Sequence, residues 1–324
     1  MPEHMPNWVQ KFGYGEFIHL EHKNCEACMM KGDKVFRVVE ENCYKTEARL
    51  NEMDETEIGI QVLSTIPVLF NYWAKSTDAY ETSRFFNDHI AETVTRNPDR
   101  FIGLGTVPMQ NPHLAIREME RCVKELKMPG LEIGTNVDGK NLSEKEFFPF
   151  FEAAEKLGCA LFIHPWEMMG EGQMQQYWLP WLVGMPAETS RAICSLIFGG
   201  VFERLPKLRV AFAHGGGSFP YTLGRISHGF NVRPDLVAVD NKIDPGSYIG
   251  KFWVDSLVHD KKAMNYLLKV MGEDHICLGS DYPFPLGEKA PGKLIGKMKL
   301  DKKIRRKIEF QNAMDWLNLK NNNE

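Results

Sequence analysis

A chain of 324 residues is about twice a common domain length, yet barrels of alternating strands and helices fill that length as one unit. With 43% hydrophobic and 25% charged residues and a mean hydropathy of -0.33, it is expected to fold as a soluble globule, and no apolar run approaches the roughly 18 residues of a membrane span. The formal net charge of -4, from 43 acidic and 39 basic residues mixed along the chain, gives no field for gathering nucleic acid, so an anionic substrate must be held by local contacts.

Residues 1–10 lack the basic-then-apolar pattern of a secretion signal, and a cytosolic protein is expected. Segments 16–21 and 34–39 read as the arms of a hairpin-like insertion over 16–40, with Lys31-Gly32-Asp33 at its turn. Cys25 and Cys28 form a CxxC, but a structural zinc needs about four ligands and no second pair follows. The seven cysteines, an odd number with Cys122, Cys159, Cys194 and Cys277 in apolar segments, suit reduced thiols better than disulfides.

From residue 60 onward, short β-branched runs alternate with longer amphipathic ones, the pattern of strand-helix units around a parallel sheet. The predicted strands lie within 60–65, 101–108, 130–135, 160–166, 209–215, 252–259 and 276–283. Between them, Ala115, Met119, Cys122, Val123 and Leu126, and again Ala263, Met264, Leu267, Leu268 and Met271, recur at helical spacing. Gly158 and Gly272 are predicted helix stops. This regularity favours a closed (β/α)8 barrel of the TIM type, which needs eight strands; the runs supply seven, and the gap is at the N-terminus. No low-complexity linker divides the chain, so one domain over 1–324 is expected, with a C-terminal helical segment at 300–324. The basic stretch 297–307 reads as the solvated face of terminal helices rather than a nucleic-acid surface.

In such barrels the active site sits at the carboxyl ends of the strands, so polar residues where an apolar run stops are the ones to weigh. Leu161-Phe162-Ile163 ends in His164, Val210-Ala211-Phe212-Ala213 ends in His214, and Cys277-Leu278-Gly279-Ser280 ends in Asp281. A single strand-end histidine is more often hydrogen-bonded structure than a ligand, and Asp281 has a rival role capping the turn before Tyr282-Pro283. Two imidazoles and a carboxylate converging on one rim are, together, what a borderline divalent cation accepts. A histidine left off the metal could move a proton near neutral pH. Gly215-Gly216-Gly217 is no GxGxxG phosphate loop and can simply form a tight strand-to-helix turn.

Several longer strings carry a specific resemblance. Phe36-Arg37-Val38-Val39, His164-Pro165-Trp166, the segment 177–189 from Tyr177 and Trp178 to Thr189, Phe212-Ala213-His214-Gly215-Gly216-Gly217, Gly224-Arg225-Ile226-Ser227-His228-Gly229, and the segment 281–288 opening Asp281-Tyr282-Pro283-Phe284 resemble those of the aminocarboxymuconate-semialdehyde decarboxylase family of metal-dependent amidohydrolases. The similarity spans nearly the whole chain. It implies a (β/α)8 barrel, usually a homodimer, that binds one zinc and removes a carboxylate from 2-amino-3-carboxymuconate 6-semialdehyde without an organic cofactor. That step belongs to tryptophan catabolism through kynurenine and limits quinolinate and NAD formation. By the same resemblance, His164 and Asp281 would be zinc ligands and His214 the acid-base residue. Arg37 and Arg225 would grip substrate carboxylates, Arg225 in the neighbouring subunit's site, and Trp181 would line the pocket. The bland readings are a solvated hairpin charge for Arg37 and a helix-surface charge for Arg225. His228 is read as structural, and His259 has no assigned role.

The family normally opens with a strand ending in His-x-His, whose two imidazoles share one side. None of the ten histidines here stand two apart, and His19 and His22 have the wrong spacing. The expectation is therefore a barrel lacking its first strand and two metal ligands, with doubtful zinc occupancy and little or no decarboxylase activity of its own, as an alternative start, splice form or incomplete reading frame would give. Two further readings stay open: a non-catalytic form that pairs with an intact subunit, and a related amidohydrolase-type hydrolase or decarboxylase of another unsaturated acid.

Overall fold

The computed structural model describes residues 1–23 and 26–319 and divides into two compact units, Met1–Glu132 and Ile133–Glu324. Cys25 of the CxxC lies outside the described residues, as do the last five positions of the predicted C-terminal segment. The other cysteines, Cys28, Cys43, Cys122, Cys159, Cys194 and Cys277, are free thiols. Among the described residues, no helix is long and apolar enough to cross a membrane.

In the first unit, β1 (Ile18–Lys23), β2 (Glu26–Lys31) and β3 (Lys34–Glu40) form an antiparallel sheet in that order, with Gly32 turning between β2 and β3 at φ 59°. The predicted hairpin is thus a three-stranded meander. Its middle strand escaped notice because Glu26-Ala27-Cys28-Met29-Met30-Lys31 holds no β-branched residue, although Ala27 and Met29 are fully buried.

Three parallel strands follow: β4 (Gln61–Leu63), β5 (Phe101–Gly105) and β6 (Gly130–Gly134), with β4 paired to β5 and β5 to β6. The helices Ser76–Arg96 and Pro112–Lys124 connect them. The second starts where its sequence says it should: the Asn111 side chain accepts the Leu114 amide and Pro112 opens the first turn. Its buried stripe is Ala115, Glu118, Met119 and Cys122, so a carboxylate sits among apolar residues. Hydrogen bonds make that tenable. Glu118 accepts from Asn87 Nδ2 at 2.8 Å and pairs with Arg121 at 2.7 Å, while Arg121 also reaches Asp88 at 2.6 Å.

In the second unit a short ribbon, β7 (Asn136–Val137) with β8 (Lys140–Asn141), precedes four parallel strands in the order β9 (Ala160–His164), β10 (Val210–Phe212), β11 (Trp253–Asp255) and β12 (Ile276–Cys277). The helices Phe148–Leu157, Met185–Phe198, Phe219–Val232 and Lys261–Met271 alternate with them, which is the α/β pattern of a TIM-type barrel. Gly158, left-handed at φ 66°, ends the first of these helices, and Gly272 ends the last. Each of the seven predicted runs therefore contains one parallel strand. An eighth is not found among the described residues.

The register levels the strand ends. Phe212 is opposite both Ile163 and Val254, and Asp255 is opposite Cys277, so the residues leaving β9, β10, β11 and β12 emerge on one rim. Asn312 ties the C-terminal segment beneath: its buried side-chain amide donates to the carbonyls of Glu273 and Ile276 at 2.9 and 2.7 Å. Within the basic stretch, Lys307 pairs with Glu273 and Asp274, and Arg305 with Glu309.

Candidate metal centre

His164 closes β9, His214 lies two residues beyond β10, and Asp281 lies four beyond β12. One ligand atom from each falls within 4.8 Å of the others. Nε2 of His164 is 3.9 Å from Oδ1 of Asp281, and the His164 and His214 rings meet edge to face with centroids 4.9 Å apart. The three strand-end groups read from sequence are thus brought together, and among the described residues they form the one such cluster of potential ligands.

Local backbone makes this possible. After the extended residue Ala213, four residues in succession take positive φ: His214 at 58°, Gly215 at 62°, Gly216 at 76° and Gly217 at 62°. Only glycine tolerates such a run, and His214 is held in a conformation that L-residues seldom adopt. Space allows nothing larger at the end of the turn, since a Cβ on Gly217 would lie 2.3 Å from the Pro186 carbonyl oxygen. The glycines do build a strand-to-helix turn, and the helix Phe219–Val232 starts directly after it.

The tautomer of His164 follows from its surroundings. Nδ1 is 3.0 Å from the Pro165 carbonyl oxygen, which can only accept, so Nδ1 carries a hydrogen and, in the neutral ring, Nε2 presents its lone pair. That lone pair and the Asp281 carboxylate face one another, an arrangement that a cation between them satisfies. His164 and Asp281 are donors of the kind a borderline divalent ion accepts, but they are two where a catalytic site usually supplies three protein ligands. Burial, and the His164 ring beside it, hold the His214 imidazole below the ordinary histidine range, outweighing the Asp255 and Asp281 carboxylates that favour its protonated form. His214 is therefore neutral near neutral pH and able to accept a proton. Burial pushes the Cys194 thiol up to about 11 and the Cys159 thiol up to about 12, so neither is a ready thiolate.

The predicted substrate-binding residues are placed as follows. Trp181 lies half-buried in the turn Pro180–Gly184, its ring 5.7 Å from that of Trp178. Arg225 is exposed on the helix Phe219–Val232 and makes no ion pair among the described residues. Arg37 belongs to the first unit, on β3, half-buried with its guanidinium 5.9 Å from the Phe36 ring centre. His228 and His259 are exposed.

Two acidic residues escaped the sequence reading. Glu188, fully buried, accepts from the Met169 amide at 2.6 Å, from Asn136 Nδ2 at 3.3 Å and from Arg191 at 2.8 Å, while Asn136 also donates to the Trp166 carbonyl at 3.0 Å. It thereby pins the loop that follows His164. Asp255, the last residue of β11, accepts the backbone amides of the His214 turn. The available signal was a single carboxylate inside the apolar run Phe252-Trp253-Val254-Asp255.

The amidohydrolase family model matches residues 42–319. Over 98% of this chain and 89% of the relative, the sequence is 56% identical to the 2-amino-3-carboxymuconate-6-semialdehyde decarboxylase of Dictyostelium discoideum. The chain belongs to the amidohydrolase family. It is also 39% identical to the enzyme of that name from Caenorhabditis elegans, over 99% of this chain and 93% of the relative. The structure of 5-carboxyvanillate decarboxylase from Novosphingobium aromaticivorans, complexed with manganese, superposes with a TM-score of 0.80 at 27% identity, covering 86% of this chain and 82% of that one. Within its family this amidohydrolase therefore stands among carboxy-lyases.

Proposed function

We propose that the chain removes carbon dioxide, without oxidation, from 2-amino-3-carboxymuconate 6-semialdehyde to give 2-aminomuconate 6-semialdehyde, with zinc at the metal centre. The observation that carries this reading is the convergence of His164, His214 and Asp281 in a chain 56% identical to a decarboxylase named for that substrate. Chemically, a carbon-carboxylate bond becomes a carbon-hydrogen bond: carbon dioxide leaves, its bonding electrons stay on carbon, and one proton returns. A divalent ion held by His164 and Asp281 would supply Lewis acidity and an electron sink there.

The remaining work falls to side chains. His214, neutral near neutral pH, accepts a proton at a ring nitrogen and returns one to the carbon that lost its carboxylate. Arg37 and Arg225 grip substrate carboxylates, because a guanidinium fork pairs bidentately with them. Arg225, exposed on its helix, serves the site of a second copy, so the active form is a homodimer. Trp181 lines the pocket. On this reading the protein acts in cytosolic tryptophan catabolism through kynurenine and draws material away from quinolinate and NAD.

Purified protein supplied with zinc should release one carbon dioxide per semialdehyde consumed. Release from 5-carboxyvanillate or a dihydroxybenzoate, with none from the semialdehyde, would move the protein to an aromatic-acid activity. No release from any of them, with co-purification of a His-x-His-bearing subunit, would favour a non-catalytic partner.

A further inference from the structure

Asp255 is 8% exposed and closes β11 between the two strands that carry His214 and Asp281. A buried carboxylate is costly unless its oxygens are satisfied. Here they are satisfied by backbone alone. Oδ2 accepts the His214 amide at 2.9 Å, and Oδ1 accepts the amides of Gly215 at 2.8 Å and Leu257 at 3.0 Å. Successive amides of a left-handed turn aimed at one anion form a nest, and this nest is filled by a side chain from the neighbouring strand.

The accommodation extends to β12. A Cβ on Gly279 would lie 2.5 Å from the Asp255 Cβ and 2.7 Å from its Cγ, so the carboxylate fits because position 279 has no side chain. Gly279 also donates its amide to the Ser256 hydroxyl at 3.2 Å. Asp281 follows two residues later. The pair Asp255 and Ser256 therefore contacts both the turn bearing His214 and the loop bearing Asp281.

We propose that Asp255 is a positioning residue that holds His214 in its left-handed backbone conformation and so aims the imidazole at the reacting carbon. It is no ligand, since both of its oxygens are engaged by amides, and it does not touch substrate. The role rests on the reading of His214 as the acid-base group. Without this carboxylate the turn keeps only its own backbone bonds, Gly216 to Ala213 at 3.2 Å and Gly217 to His214 at 2.9 Å, and the imidazole is less firmly aimed. The loss falls on the chemical step rather than on binding, because His164, Asp281 and the arginines stay in place.

The test compares Asp255→Asn and His214→Ala with the unsubstituted protein, each supplied with zinc. It measures kcat, KM, bound zinc per chain, and hydrogen exchange of the peptide spanning residues 210–217. In Asp255→Asn one acceptor becomes a donor facing the turn. The expected result is a kcat lower by about 10- to 100-fold, KM within about threefold, unchanged zinc, and faster exchange confined to that peptide. A kcat within about twofold of the unsubstituted value overturns the proposal, as does a loss matched by raised exchange throughout the second unit. If His214→Ala turns over normally, the acid-base reading itself falls. If that variant is inactive while Asp255→Asn is normal, only the positioning role falls.

Discussion

Nε2 of His164 faces Oδ1 of Asp281 across 3.9 Å, and the hydrogen bond from Nδ1 to the Pro165 carbonyl puts the neutral ring's lone pair on Nε2. With the ring neutral, two electron-rich atoms turn toward each other on this rim, and a cation between them, or a proton on Nε2, relieves their repulsion. The electrostatics of the site, the chemistry of its donors and the reaction proposed for it all descend from this contact.

On the proposed assignment, His214 stands beside that contact rather than completing it. Replacing it with alanine is expected to leave zinc bound within about threefold while lowering kcat by about 100-fold or more. Bound metal after dialysis, measured beside turnover, checks both halves. Turnover unchanged by the substitution removes His214 from the mechanism.

The turn itself has little tolerance. Gly217→Ala would place a methyl 2.3 Å from the Pro186 carbonyl oxygen at φ 62°, where both contact and backbone oppose it. A loss of about 3 kcal/mol or more is expected, or no soluble product. A urea midpoint close to that of the unsubstituted protein contradicts this.

In the first unit, Glu118 holds Asn87 and Arg121 together inside an apolar helix face. Glu118→Ala strands a mostly buried guanidinium, leaving it Asp88 and a long bond to the Arg84 carbonyl, and is expected to cost about 3–5 kcal/mol. Denaturant unfolding measures it. A cost under about 1 kcal/mol shows that the network is dispensable.

His89, on the helix Ser76–Arg96, gives a pH dependence that does not involve the metal centre. Burial, with the N-terminal charge and Arg96 contributing, lowers it from the ordinary 6.5 to about 4. Above pH 6.5 the ring is neutral folded or unfolded. As pH falls from 6.5 to about 4 the unfolded chain takes up the proton first, so stability drops across that window. After allowance for solvent screening the drop is on the order of 1–2 kcal/mol. His89→Gln should flatten this part of the acid limb when urea midpoints are compared at pH 7 and 4.5. Parallel limbs in the two proteins rule it out.

The physical reasons for what sequence revealed differ from element to element. Strand positions were legible because β-branched and aromatic residues concentrate where the chain is buried on both sides, as in Ala160–His164 and Val210–Phe212. The metal-centre residues were legible because imidazole or carboxylate ended an apolar run, and adjacent parallel strands level such ends. β2 was not, since Ala27 to Met30 are buried without carrying a strand's usual residue types. Asp255 and Glu188 were hidden for another reason. Their oxygens serve backbone amides 41 and 19 residues away, His214 and Met169, and backbone amides leave no mark in a sequence.

Zinc titration against a chromophoric chelator, run on the unsubstituted protein and on Asp281→Ala, tests the centre most directly. With two protein ligands, one weakly held zinc per chain is expected at saturation, its affinity at least about tenfold weaker once the carboxylate is gone. Equal affinity in the two proteins, or no zinc bound by either, would contradict a cation held between His164 and Asp281.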